Sequence, residues 1–121
     1  MPIKNVLVVD DSPTDRQHLT DILAKSGYNV TTAASAEECL AKVKQTRPDL
    51  VLMDVVMPGH NGYQATRELT KDEATKNIPV IICTSKSQET DKVWGMRQGA
   101  KDYIVKPVNG SELLAKISAL G

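Results

Sequence analysis

Short apolar runs alternate with amphipathic segments along the chain. The continuous runs are Val6-Leu7-Val8-Val9, Leu50-Val51-Leu52-Met53, Val80-Ile81-Ile82-Cys83 and Tyr103-Ile104-Val105, and Asn29 to Thr32 is a weaker, alternating candidate. Continuous aliphatic and β-branched runs suit strands covered on both faces, so they predict a parallel sheet between helical layers. Helix punctuation fills the intervals. Ser12-Pro13 reads as an N-cap followed by proline at the first helical position, and Gly27 suits the stop. Ser35 and Glu38 form a capping box, with Pro48 beyond that helix's end. Pro58-Gly59 and Gly62 mark a loop before a helix over Tyr63 to about Thr70. Ser87 opens a helix over Gln88 to Gln98, closed by Gly99. Asn109 and Glu112 form an analogous box before the last helix, where Val108 and Leu113 can staple the start. Five strand–helix units with right-handed crossovers predict an α/β fold: a doubly wound (βα)5 three-layer sandwich with a five-stranded parallel sheet.

Composition narrows the function classes. The 121 residues fit one domain able to bury a core without staples. Fifteen basic residues balance fifteen acidic ones, which excludes the strongly basic footprint of a nucleic-acid binder. No apolar run approaches the roughly 20 residues of a membrane span. The start of the chain lacks the apolar core and cleavage site of a signal peptide, so a cytoplasmic location without membrane insertion is expected. Cys39 and Cys83 each sit in an apolar pattern and are expected to be buried free thiols.

The reactive residues fall at strand ends. In open α/β sheets, ligands bind beyond the carboxyl ends of the strands. The first strand ends in Asp10-Asp11, the third in Asp54, the fourth in Thr84-Ser85 and the fifth in Lys106-Pro107. Taken singly, each has a plain reading: a helix-capping acid, a strand-end threonine, a solvated lysine. Taken together, they fall at the same end of different strands. Three carboxylates in one pocket repel one another, and a hard divalent cation removes the conflict. Acids, hydroxyl and lysine are also the parts needed for phosphoryl transfer, with cation and lysine neutralising the equatorial oxygens. Asp54, alone at a central strand end and facing the acidic pair, is the best candidate for a carboxylate nucleophile.

These pieces occur in order over essentially the whole chain as Val-Leu-Val-Val-Asp-Asp-Ser (6–12), Leu-Met-Asp-Val-Val-Met-Pro-Gly (52–59), Val-Ile-Ile-Cys-Thr-Ser (80–85) and Gly-Ala-Lys-Asp-Tyr-Ile-Val-Lys-Pro (99–107). The chain thereby resembles the response-regulator receiver domains of two-component phosphorelays, of the CheY-like kind. The resemblance implies the strand order 2-1-3-4-5. It implies that Asp54 is the phosphoacceptor, and that Asp10, Asp11, Asp54 and the Val56 backbone carbonyl bind Mg²⁺. It further implies that Thr84, Ser85 and Lys106 bind the phosphoryl group and that Thr84 and Tyr103 form the switch pair. The Lys106–Pro107 bond is expected to be cis. The implied phosphodonor is a histidine kinase of the CheA-like type; the downstream target is not named.

Residues 62–72 and 88–100 carry a narrower resemblance, to regulators of the chemotaxis-like pathway behind type IV pilus twitching motility. Val56 is apolar where many members are polar, and Lys86 is basic where others can be acidic. Both positions are expected to tune hydrolysis and lengthen the phosphoryl lifetime. The whole of 1–121 is expected to be one receiver domain without an output domain, acting by partner binding or as a phosphate sink for a shared kinase. It is expected to catalyse only its own phosphorylation and dephosphorylation. An aspartate-nucleophile phosphatase is disfavoured, because such enzymes use Asp-x-Asp after the first strand. A flavin carrier is disfavoured because three acids repel a phosphate. A pure docking module would not need the intact acids. Met96 is expected in the core, Trp94 in the core or on a partner surface, and His18 on an exposed helix face. His60 is placed in a loop near the site.

Overall fold

The computed structural model describes residues 3–57, 59 and 61–120. Among them the apolar runs become five strands, β1 (Asn5–Val9), β2 (Asn29–Ala33), β3 (Leu50–Met53), β4 (Val80–Thr84) and β5 (Asp102–Val105). The helices are α1 (Pro13–Lys25), α2 (Ala36–Thr46), α3 (Gly62–Lys71), α4 (Glu89–Arg97) and α5 (Gly110–Leu120). All strand pairings are parallel, in the order β2-β1-β3-β4-β5. The winding direction reverses between the neighbours β1 and β3, which places the switch point at their carboxyl ends.

Alternate side chains of each strand face opposite layers. Val6, Val8, Leu50 and Leu52 join Leu19 and Leu23 of α1 and Leu113 and Ile117 of α5 in one core. Leu7, Val9, Val51 and Met53 join Cys39 and Val43 of α2 and Ala65 and Leu69 of α3 in the other. A smaller cluster of Val55, Ile82, Ala100 and Tyr103 extends the second face. β2 alternates in burial because it is an edge strand.

Local chemistry sets the helix starts. The Ser12 hydroxyl accepts from the Asp15 N–H at 3.3 Å, with Pro13 opening α1. Ser35 accepts from the Glu38 N–H at 3.1 Å, but the Glu38 carboxylate reaches past the cap to the Ala34 N–H at 2.7 Å. Asn61 caps α3, so Gly62 belongs to the helix and not to the preceding loop. Gln88, not Ser87, caps α4, because it exchanges bonds with Asp91 in a capping box. Val108 and Leu113 lie in the same core cluster, as a staple requires. Met96 is 45 % exposed and so is not a core residue. The one buried residue of α4 is Gly95, which leaves Val93, Trp94 and Met96 facing outward. Cys39 and Cys83 are buried free thiols.

Candidate functional site

The acidic pair and Asp54 meet because β1 and β3 are neighbours with Val9 paired to Met53. Asp10 and Asp54 each follow the last residue of their strand. Their backbones continue the ladder, the Asp10 N–H donating to the Ala33 carbonyl and the Asp54 N–H to the Val9 carbonyl. The carboxylate oxygens of Asp10, Asp11 and Asp54 lie within 4.8 Å of one another. Asp10 and Asp54 are buried and Asp11 is exposed, so the cluster opens to solvent on one side. The Ser12 N–H donates to Asp10 Oδ1 at 3.0 Å and the Val56 N–H to Asp54 Oδ1 at 3.2 Å. These bonds fix both side chains from their own loops.

Gly62 makes the approach of α3 possible. A Cβ there would lie 2.1 Å from the Asp54 carbonyl oxygen and 2.7 Å from Val55 Cα. Real Cβ atoms do not come that close to backbone, so only glycine lets the start of α3 press against the end of β3.

Lys106 enters from the end of β5, with its N–H donating to the Thr84 carbonyl at 2.8 Å. Its ammonium lies 2.6 Å from Asp10, 2.8 Å from Asp15 and 3.4 Å from Asp54. Burial alone would lower the lysine's pKa, but the carboxylates of Asp10, Asp15 and Asp54 outweigh it and hold the ammonium charged well above its ordinary range. Burial pushes the Asp10 carboxyl above its ordinary value, against the pull of Lys106 and the Ser12 N–H. One ammonium against three clustered acids leaves excess negative charge, which suits a hard divalent cation with oxygen ligands. The Lys106–Pro107 bond is cis.

Thr84 is fully buried at the end of β4, and its hydroxyl accepts weakly from the Lys86 N–H at 3.5 Å. Ser85 and Lys86 are exposed on the loop that follows. Val56 and Lys86 line one open hollow of about 460 Å³ together with Asp11, Met57 and Asn61. Tyr103 points inward, 9 % exposed, with its hydroxyl donating to the Lys86 carbonyl at 3.0 Å. Burial, and then the bond with Tyr63, push its phenol pKa up. His18 is exposed, with Nε2 3.2 Å from the Val108 carbonyl. His60 and Pro58 lie outside the described residues.

Three neighbours of the site were not anticipated. Asp15 holds Lys106 from the first turn of α1. Arg16 Nη1 donates to the Asp10 carbonyl at 2.7 Å. Tyr63 on α3 lies against Tyr103. The first two could be anticipated by counting: an acid and a base in the first turn of a helix that begins at the acidic strand end.

The fold and the acidic strand-end cluster define a CheY-like signalling domain, and residues 6–118 match the response regulator receiver domain. The chain belongs to this family. It is 56 % identical over 115 residues to Protein PilH of Pseudomonas aeruginosa, covering 95 % of each chain. Among solved structures, the chemotaxis protein CheY4 of Vibrio cholerae superposes with a TM-score of 0.91 at 33 % identity, over 98 % of this chain and 99 % of that one. A CheX–CheY–BeF3–Mg²⁺ complex from Borrelia burgdorferi matches with a TM-score of 0.90 at 32 % identity, over 97 % of this chain and 88 % of that one. Transcriptional regulators among the relatives are longer, and the chain spans about half their length. Receiver domains take phosphate from histidine kinases and bind Mg²⁺ in an acidic pocket. No helix among the described residues is long and apolar enough to cross a membrane.

Proposed function

We propose that Asp54 accepts a phosphoryl group from a histidine kinase of the CheA-like type, with Mg²⁺ held by Asp10, Asp11, Asp54 and the Val56 carbonyl. The convergence of three carboxylates within 4.8 Å, with Lys106 beside Asp54, carries this reading. An Asp54 oxygen forms the new bond to phosphorus while the donor's bond to phosphorus breaks, giving an acyl phosphate. Bound Mg²⁺ supplies charge neutralisation to the transferring oxygens. Lys106 adds a second positive charge, and Thr84, with Ser85 beside it, offers a hydroxyl to the remaining oxygen.

When the Thr84 hydroxyl turns to the phosphoryl group, the Tyr103 ring is favoured inward, and a surface of α4, β5 and α5 is biased for a partner. Similarity to Protein PilH supports a role in a chemotaxis-like pathway controlling type IV pilus twitching motility. Val56 and Lys86, on the rim of the hollow beside Asp11, offer no base for an attacking water and so lengthen the phosphoryl lifetime.

Incubation with acetyl phosphate and Mg²⁺ tests the reading. The parent should label and Asp54→Asn should not, with both folded by circular dichroism. Equal labelling of the variant would remove Asp54 from the role.

A further inference from the structure

The Tyr103 ring is inward, and its hydroxyl has two partners that account for this. It donates to the Lys86 carbonyl at 3.0 Å, two residues beyond Thr84. It also lies 3.3 Å from the hydroxyl of Tyr63. Tyr63 in turn donates to the Asp91 carbonyl at 3.3 Å, in the first turn of α4. The proton count orders this chain. Each phenol has one proton and its oxygen can also accept. With the Tyr103 proton committed to Lys86, the single Tyr63 proton is shared between the Tyr103 oxygen and the Asp91 carbonyl, each at 3.3 Å. One hydroxyl on α3 therefore touches both the inward ring of β5 and the start of α4.

The packing beneath is equally close. The Tyr63 ring lies against the cluster of Val55, Ile82, Ala100 and Tyr103. A Cβ added at Gly95 of α4 would lie 3.1 Å from the Tyr103 ring. The ring thus packs against α4, and its hydroxyl meets both the Lys86 carbonyl and the Tyr63 hydroxyl.

We infer that Tyr63 is a positioning residue for the switch: its hydroxyl, bridging Tyr103 and the Asp91 carbonyl, favours the inward ring and couples it to the start of α4. This rests on the Thr84–Tyr103 coupling proposed above and adds a component that lies on α3, outside that pair. The bond thereby favours the same ring position that the proposed switch uses. Part of the conformational cost of activation is removed in advance, and removing the hydroxyl restores it.

The test is beryllofluoride titration, with Mg²⁺, of the parent, Tyr63→Phe, Tyr103→Phe and the double variant. Binding is followed by emission of Trp94, the single tryptophan, on α4, and by NMR of the tyrosine rings and the Lys86 and Asp91 amides. Tyr63→Phe keeps the ring and should weaken beryllofluoride binding by about two- to tenfold, the range one net hydrogen bond allows. Its free-state Tyr103 ring signals should move toward an exposed environment. The loss should vanish when Tyr103 is already Phe, since the coupling runs through that hydroxyl. Parent-like affinity and ring signals in Tyr63→Phe would overturn the role of Tyr63 while leaving the Thr84–Tyr103 switch standing. The same loss in both Tyr103 backgrounds would also overturn it, as a general packing effect. If Thr84→Ala leaves the response of the Tyr103 signals to beryllofluoride unchanged, the switch itself fails, and this inference with it.

Discussion

α1 and α5 on one face of the sheet, and α4 on the other, are attached by different means. α1 and α5 bury Leu19, Leu23, Leu113 and Ile117 in a continuous aliphatic core. Each such side chain contributes roughly 1.5–3 kcal/mol by leaving water. α4 buries Gly95 alone and leaves Trp94 50 % exposed. Hydrogen bonds tie its two ends, from the Tyr63 hydroxyl to the Asp91 carbonyl at 3.3 Å and from the Thr70 hydroxyl to the Gln98 carbonyl at 2.8 Å, each worth about 0.5–1.5 kcal/mol net. The difference assigns tasks. The rigid face carries Asp15 and supports the loops of Asp10 and Lys106, where a shift of an ångström would spoil the charge geometry. The loosely held helix lies over Tyr103 and has little to lose by moving.

The strongest attack on this contrast is truncation on each side. Leu23→Ala is expected to cost about 2–5 kcal/mol, because a buried leucine leaves a cavity in a packed core. Trp94→Ala should cost within about 0.5 kcal/mol, as an exposed side chain does. Urea unfolding of both variants measures this, and equal losses would erase the distinction. Gly62→Ala is next. Its Cβ meets the backbone of Asp54 and Val55, which cannot yield like a side chain, so a loss of about 1–3 kcal/mol is expected. Labelling by acetyl phosphate should fall with it, because α3 and the end of β3 must separate.

Gly95→Ala sharpens the picture from the mobile side. The nearest atom to its added Cβ is Ile82 Cδ1 at 2.8 Å, the far end of a flexible side chain. Alanine also gains about 1 kcal/mol of helix propensity over glycine. The net stability change should be under about 1 kcal/mol, yet the emission of Trp94 should shift because α4 lifts from the Tyr103 ring. A large stability loss would mean that α4 is as rigidly seated as α1.

A pH-dependent test belongs to Asp49, which ties the start of β1 to the approach of β3. Its carboxylate accepts from the Lys4 and Asn5 N–H groups, both at 2.9 Å, and these bonds hold its pKa below the ordinary value. The folded pKa is depressed, so its stabilisation is present above the unfolded pKa and lost as pH falls through the folded one. Asp49→Ala should cost about 1 kcal/mol at neutral pH. The gap between parent and variant should close below about pH 4, where the unfolded carboxyl begins to hold its proton.

Much of this is legible in the sequence. Periodicity placed every strand to within a residue, because aliphatic runs buried on both faces have few other uses. The strand-end rule gathers Asp10, Asp11, Asp54 and Lys106, residues far apart in the chain, which the fold brings together. Met96 was misjudged because α4 packs through a glycine, and a glycine contributes nothing to a hydrophobic pattern. The start of α4 was misplaced because Ser87 and Gln88 are both acceptable caps, and only the bond to Asp91 separates them. Tyr63 escaped notice because its partners, Asp91 and Tyr103, lie 28 and 40 residues away and no local pattern joins them.

The two cysteines divide the molecule along the same line. Cys83 of β4 lies in the core beneath α1 and α5, and Cys39 of α2 lies in the core of the opposite face. Burial pushes both thiols up to about 12, so in the folded state at neutral pH neither presents the reactive thiolate. Alkylation must therefore wait for each face to open, and the two sites are separable by mass after proteolysis. The chain thus carries its own pair of clocks: the rate at Cys83 times the opening of one layer and the rate at Cys39 the opening of the other, with no probe added.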